Sequence, residues 1–86
     1  MTRRLIAHLA PEAEDRRRDD ARRLLSRLSD REREVAAAVG RGRSNADIAA
    51  ELHMSVGTVK SYISRILTKT NLDNRVQLAL IAHDKL

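Results

Sequence analysis

The segment from Ser55 to Asn71 carries cations and hydroxyl groups but no carboxylate. Its charged side chains are Lys60, Arg65 and Lys69. An exposed helix face usually mixes charges of both signs, whereas a face with cations alone is typical of a surface that binds a polyanion. The chemistry that this segment can do is therefore the binding of a negatively charged partner.

No catalytic or metal-binding constellation can be recognised in the sequence. The chain has no cysteine, and His8, His53 and His83 are too far apart to form an H-x-x-x-H pair. There is no Gly-rich phosphate loop, and no candidate serine has a nearby base. We therefore expect neither an enzyme nor a bound cofactor or metal. The serines are interpreted as helix caps or binding residues: Ser44, Ser55, Ser61 and Ser64.

The 86 residues carry a formal net charge of +5 and suffice for one small domain with an extension. The lack of cysteine fits a reducing compartment, and no apolar run approaches the ~20 residues that span a bilayer. The start, "MTRRLIAHLAP", has too short an apolar part for a signal peptide. We expect a soluble, cytoplasmic protein with no membrane partner.

A helical wheel divides the acid-free segment into an apolar and a polar side. The apolar side combines Val59, Ile63, Ile66, Leu67 and Thr70. Opposite lie Gly57, Ser61, Ser64 and Thr68, with Thr58 and Arg65 beside them. The major groove of DNA admits a helix whose outward side chains are short or flexible, and Lys or Arg can reach guanine there. The polar side therefore fits a duplex groove.

A capping box starts a helix upstream of this segment. The Ser29 hydroxyl can accept a hydrogen bond from the Glu32 amide, while the Glu32 carboxylate can accept one from the Ser29 amide. We expect this helix to run to about Val39, with Gly40 or Gly42 as its left-handed exit.

Three further helix starts follow, each with a capping residue. They are Ser44 before Asp47, Ser55 after a turn at His53 and Met54, and Asn74 with Gln77 three residues on. The helices that begin there are expected to end near Leu52, Thr68 and Lys85. No segment alternates between apolar and polar residues with period two, so no strand is expected. The expected fold is all-α, a four-helix bundle with an N-terminal helical extension.

Two helices of about eight and thirteen residues, joined by a three-residue turn, form a helix-turn-helix. The second helix of such a motif enters the major groove, and here it spans about Ser55 to Thr68. We expect DNA contacts from Ser44, Asn45, Ser55, Thr58, Lys60, Ser61, Tyr62, Ser64, Arg65 and Lys69, with Arg75 as a further phosphate contact.

Residues 1–28 form the extension, with a short helix over Thr2–Ala10 and a mostly charged helix over Glu12–Leu28. Two interpretations of the charged helix are open. It is a solvated linker, or its dense arginines make it a basic arm that contacts DNA. Its apolar residues lie only at its end, and these are Leu24, Leu25 and Leu28.

The chain resembles the C-terminal DNA-binding domain of the LuxR/FixJ/NarL family of bacterial transcription regulators. The matching motif is "LSDREREVAAAVGRGRSNADIAAELHMSVGTVKSYISRILTKTNLDNRVQLALIAHD", about two thirds of the chain. It contains "REREV", "SNADIA" after Gly42, "SVGTVKSY" and "NRVQ". The resemblance implies that residues 29–86 form a four-helix bundle that binds double-stranded DNA through the helix from Ser55.

The resemblance also implies roles for single residues. Glu34 matches a structural acid, which we interpret as a group that connects helices. "TRRLIAHLA" is similar to the closing helix of a receiver domain, which implies that residues 1–28 are a receiver-domain remnant and linker from a two-component response regulator. A short free-standing regulator with a charged arm is the alternative. The family's DNA-contacting positions match Thr58, Lys60, Ser61, Ser64, Arg65 and Lys69.

The last helix is apolar almost all round, and its own core can bury only one of its two stripes. One stripe holds Val76, Ala79 and Leu80, and the other holds Leu78, Ile81 and Ala82. In the resembled family this helix forms the dimer interface, which implies a homodimer on DNA through Val76, Ala79, Leu80 and His83. Alternatively, Leu5, Ile6 and Leu9 of the extension cover the second stripe.

Two rival interpretations of function remain. "REREV", "VGTVKS" and "SRIL" also resemble region four of bacterial sigma factors, which binds the promoter and core polymerase. A basic protein-docking module, whose cationic helix binds an acidic protein surface, is the other. For a transcription regulator, RNA polymerase is a further expected partner.

Overall fold

The computed structural model describes residue 16 and residues 19–83, which contain helices and no strand. Residues 19–25 are helical and are called α1. Four longer helices follow: α2 (Asp30–Gly40), α3 (Asn45–Leu52), α4 (Val56–Thr70) and α5 (Arg75–His83). The expected all-α fold is confirmed. The helix expected over Thr2–Ala10, with its Leu5, Ile6 and Leu9, lies outside the described residues, as does the expected end near Lys85.

The helix starts agree with the expected capping residues. Around Ser29 the capping box is complete, because the Glu32 amide donates to Ser29 Oγ at 3.3 Å and the Ser29 amide donates to Glu32 Oε1 at 2.8 Å. Ser44 Oγ accepts from the Asp47 amide at 3.1 Å. These bonds satisfy N–H groups that have no partner within the helix.

The structure shows which residue at each helix end takes the left-handed conformation. Gly40 remains helical, and Gly42 is the exit, with φ of 80°. The C-cap residues are His53 after α3 and Asn71 after α4, both left-handed with φ of 58°. The expected cap at Asn74 is confirmed, since the Gln77 amide donates to Asn74 Oδ1 at 3.0 Å. The Gln77 side chain, however, accepts from the Asp73 amide at 2.7 Å.

The hydrophobic core includes the last turns of the expected linker. Leu25 and Leu28 are buried in the same cluster as the α2, α4 and α5 side chains. The Arg33 side chain of α2 also donates from Nε to the Leu25 carbonyl at 3.3 Å. A solvated linker is therefore wrong for this end, where the leucines close the side of the bundle. Arg22 and Arg23 are exposed.

Gly40 permits a close approach of α2 to α5. A Cβ atom at this position would lie 3.0 Å from the backbone C and the Cβ of Ala82. We expect Gly40→Val to lower the free energy of unfolding by about 2 kcal/mol, because the two backbones would have to separate. Urea denaturation followed by circular dichroism at 222 nm measures this change.

Gly57 is the matched control, since it is also a helical glycine but meets only Ser55 Oγ, at 3.9 Å. Gly57→Ala should be neutral or stabilising by up to about 1 kcal/mol. If both variants lost the same free energy of unfolding, the contact between α2 and α5 would not be the cause of the loss at Gly40.

Candidate nucleic-acid interface

The two sides of α4 differ as the helical wheel predicts. Val59, Ile63, Ile66 and Thr70 are buried against the bundle. The outer side is a continuous exposed surface without an acid, and we call it the outer face of α4. It consists of Gly57, Thr58, Lys60, Ser61, Ser64, Arg65 and Thr68.

The first turn of α4 is open to solvent. Ser55 Oγ accepts from the Thr58 amide at 3.0 Å and lies 2.8 Å from Thr58 Oγ1. A helix N-terminus attracts anions through its dipole and its free N–H groups. Ser55 and Thr58 are thus placed to approach a phosphate, and both were expected from the sequence.

Val56 is a residue of this turn that the sequence interpretation missed. It is 40% exposed, beside Gly57 at the start of the outer face. An apolar side chain in the major groove can contact the methyl group of thymine. A helical wheel places Val56 close to the buried side of α4, so no signal in the sequence indicated this exposure.

Lys60 and Arg65 supply the charge of the outer face. In the part of the chain that the structure describes, neither has a carboxylate within ion-pair distance. Arg65 lies over the ring of Tyr62, with 5.4 Å between its guanidinium carbon and the ring centre. Both cations therefore remain available to an external anion.

Lys69, an expected DNA contact, is engaged elsewhere. Its Nζ donates to Glu32 Oε1 at 2.8 Å, and its carbonyl accepts from Arg27 Nη1 at 3.3 Å. The side chain thus connects the end of α4 to α2 instead of pointing along the outer face. Binding a phosphate would require it to leave a buried carboxylate without a cation, which is costly.

The acid that connects helices is Glu32, and the expectation for Glu34 is wrong. The Glu34 side chain is 51% exposed and pairs with Arg31 of its own helix at 2.6 Å. Arg31 in turn donates to the Leu52 carbonyl, so Glu34 supports a contact with α3 only indirectly. Glu32 is 1% exposed and accepts from both the Ser29 cap and Lys69.

The environment of Glu32 favours its ionised form. Burial alone would raise the pKa of its carboxyl group, but this effect is outweighed by the Lys69 hydrogen bond, the two bonds from Ser29 and the charge of Lys69. The pKa of Glu32 is therefore below its usual value. The buried carboxylate stays charged and keeps Lys69 in place.

Asn45 and Arg75, two further expected DNA contacts, bond to each other. Arg75 Nη1 donates to Asn45 Oδ1, and Nη2 donates to the Arg43 carbonyl. These bonds join the start of α5 to the start of α3. They leave Ser44 as the exposed expected contact at this helix start.

The outer stripe of α5 is exposed. Val76 is 66% and Leu80 73% exposed, one helical turn apart, while Leu78 and Ala82 of the other stripe are buried. The core therefore takes the stripe of Leu78, Ile81 and Ala82, and from the outer stripe of Val76, Ala79 and Leu80 only Ala79 packs against it. Of the remaining residues expected at a dimer interface, Ala79 is half-buried, and the exposed His83 has its Nδ1 3.2 Å from the Gly40 carbonyl oxygen.

Among residue 16 and residues 19–83, no three His, Cys, Asp or Glu side chains are grouped as metal ligands. Within the same residues, no helix combines the length and the apolar character needed to cross a membrane.

The family model described as "Bacterial regulatory proteins, luxR family" matches residues 26–82. The chain is 43% identical over 58 residues to YvfU, an uncharacterized transcriptional regulatory protein of Bacillus subtilis, a match that covers 67% of this chain and 29% of that protein. It is 41% identical over 58 residues to the transcriptional regulatory protein DesR of the same species, with the same coverage.

A third relative is the two-component response regulator PprB of Pseudomonas aeruginosa, 44% identical over 57 residues, which are 66% of this chain and 21% of that protein. The chain thus spans less than a third of the length of these curated relatives. Since the family model covers α2, α3, α4 and α5 up to residue 82, the chain belongs to the luxR family of bacterial regulatory proteins, and its domain is a DNA-binding domain of transcription regulators, not an enzyme.

Proposed function

We propose that the domain binds specific DNA sequences by placing α4 in the major groove. The observation that supports this most directly is the outer face of α4, which is exposed, free of acids and equipped with two cations that have no carboxylate partner among the described residues. A groove lined by phosphates complements such a face, and its base edges accept from Lys and Arg.

The residues of the site divide by task. Ser44, Ser55 and Thr58 lie at helix starts, where a phosphate gains from the dipole and from backbone N–H groups. Lys60 and Arg65 are long enough to reach base edges, while Ser61 and Ser64 are short and let the helix approach. Lys69, Asn45 and Arg75 hold the helices together beside the site.

We further propose that two copies pair through the outer stripe of α5. Val76 and Leu80 place two large apolar side chains in solvent on one side of a helix, which favours association with a like surface. A two-fold pair would present two copies of α4 to half-sites one helical turn apart on the duplex.

The whole regulator is proposed to be longer than this chain. The relative PprB is named a two-component response regulator, and the match covers 21% of it. We infer a receiver domain in the full-length protein, which acts in the cytoplasm on double-stranded DNA. RNA polymerase is the proposed partner when the regulator binds beside a promoter.

The proposal is tested by selecting bound duplexes from a random pool and then titrating the selected duplex by fluorescence anisotropy. Lys60→Ala should weaken binding by about 1–3 kcal/mol if Lys60 contacts a base, with a smaller loss on unrelated duplexes. If it contacts phosphate, the loss should be similar on all duplexes, and the salt dependence should fall by about one unit of slope.

Arg22→Ala is the charge-matched control, because Arg22 is an exposed cation on α1. It should bind like the wild type. A loss equal to that of Lys60→Ala would assign binding to net charge or to a basic arm. Failure to select any duplex would contradict the proposal and favour a protein-docking module.

A further inference from the structure

Arg65 differs in its surroundings from four other arginines of the described chain. Arg27, Arg31 and Arg33 each donate to a backbone carbonyl of another element. Arg41 pairs with Glu51 at 2.8 Å. Arg65 has no such bond within the described residues, and its neighbour is the ring of Tyr62, one helical turn earlier, at 5.4 Å from the ring centre.

The Tyr62 ring is held by the core. It is half-buried and packs against the hydrophobic cluster, next to the buried Ile63. The core contact therefore restrains the ring, whereas Arg65 is an exposed side chain with four rotatable bonds. Attraction between a cation and an aromatic ring acts within ~6 Å of the ring centre and requires no hydrogen-bond acceptor.

We propose that Tyr62 is a positioning residue that holds the Arg65 guanidinium ready to read a guanine in the major groove. The ring limits the conformations of Arg65 before DNA arrives and leaves the five N–H donors of the guanidinium free. Those donors form the fork that binds guanine O6 and N7 together. This inference rests on the proposed function, since it requires that the outer face of α4 meets DNA.

The alternative role for Tyr62 is a direct bond from its hydroxyl group to a phosphate. The two roles depend on different parts of the side chain. Tyr62→Phe removes only the hydroxyl group, and Tyr62→Leu removes the ring but keeps an apolar side chain for the core. Urea denaturation of both variants checks that the domain is folded, and Tyr62→Met replaces Tyr62→Leu if the latter is not.

The whole chain is titrated with the selected duplex and with an unrelated duplex. Tyr62→Leu should lower the affinity for the selected duplex about threefold to fivefold, with little change on the unrelated one. Tyr62→Phe should bind like the wild type. In an Arg65→Ala background, Tyr62→Leu should cause no further loss, because the residue acts through Arg65.

Duplexes with single 7-deazaguanine replacements, which lack the N7 acceptor, identify the base. One replacement should strongly weaken DNA binding by the wild type and by Tyr62→Phe. The same replacement should weaken binding by Tyr62→Leu less and should not change binding by Arg65→Ala. A loss with Tyr62→Phe, or an equal loss from Tyr62→Leu with and without Arg65, would overturn the inference. Either result leaves the proposed function standing, whereas a wild-type chain that binds no duplex would contradict both.

Discussion

Glu32→Ala is expected to lower the free energy of unfolding by about 2–4 kcal/mol, a large share of the stability of a small domain. The variant loses the bond from the Ser29 amide and the ion pair with Lys69, both at 2.8 Å, and leaves a cavity. The loss is below that of a fully buried pair, because the Lys69 side chain is 40% exposed and can turn to water. Urea denaturation at pH 7 measures it.

Glu34→Ala is the matched control on the same helix. Glu34 also has an ion pair, at 2.6 Å, but both partners are exposed, so we expect a change below about 0.5 kcal/mol. Comparable losses at the two positions would show that burial of Glu32 and its contact with α4 do not account for the effect.

The pH dependence of stability follows from the lowered pKa of Glu32. Between the folded and the unfolded pKa, the unfolded chain binds more protons, so stability rises with pH in that window. The contribution of Glu32 is full above the ordinary glutamate pKa of about 4.3 and is lost as pH falls through the lower folded value. Glu32→Gln should remove this component, and its stability should change less than that of the wild type between pH 5 and pH 3, as measured by urea denaturation.

Leu80→Asp is expected to weaken binding to a duplex with two half-sites by about 100-fold. Two paired copies bind such a duplex more tightly than two separate copies, and the variant loses this advantage. Leu80 is 73% exposed, so the change does not disturb the core. Affinity for a duplex with one half-site should stay within about threefold, since this site needs one copy only. Anisotropy titrations with both duplexes make the comparison.

Leu80→Lys is the control for charge. An aspartate near DNA repels phosphates, whereas a lysine attracts them, but both disrupt an apolar contact between copies. Weakening of two-site binding by both variants supports pairing through α5. If only Leu80→Asp lowered the affinity, and did so equally for both duplexes, the cause would be repulsion of DNA. That result would contradict the dimer.

Local patterns were sufficient to predict the starts of α2, α3, α4 and α5 and the outer face of α4. Capping by Ser29, Ser44 and Ser55 acts within three residues, and the sides of α4 follow from a regular helical repeat. For the left-handed residue after α2, the sequence left a choice between Gly40 and Gly42, because it does not show where the last turn of the helix ends.

The contacts that the sequence did not predict mostly join distant residues. Lys69 is 37 residues from Glu32, and Arg75 is 30 residues from Asn45, so no local pattern shows that each cation has a partner. Burial of Leu25 likewise depends on how α2 packs beside it. Tyr62 and Arg65 are only three residues apart, but their contact depends on side-chain rotamers, which a helical wheel does not give.

Both ends of α5 are bonded to other helices, with Arg75 joined to Asn45 at its start and His83 beside the Gly40 carbonyl at its end. Bonds at both ends restrain sliding and rolling of this helix on the close-packed bundle. In the proposed pair, the protein then sets the distance between the two copies of α4. The two half-sites of an operator must face these helices on the same side of the duplex. About five inserted base pairs, half of a 10–10.5 base-pair repeat, would turn one half-site to the far side of the duplex. Under the proposed pairing, the length of the spacer, as well as the bases read, determines which operators the domain recognises.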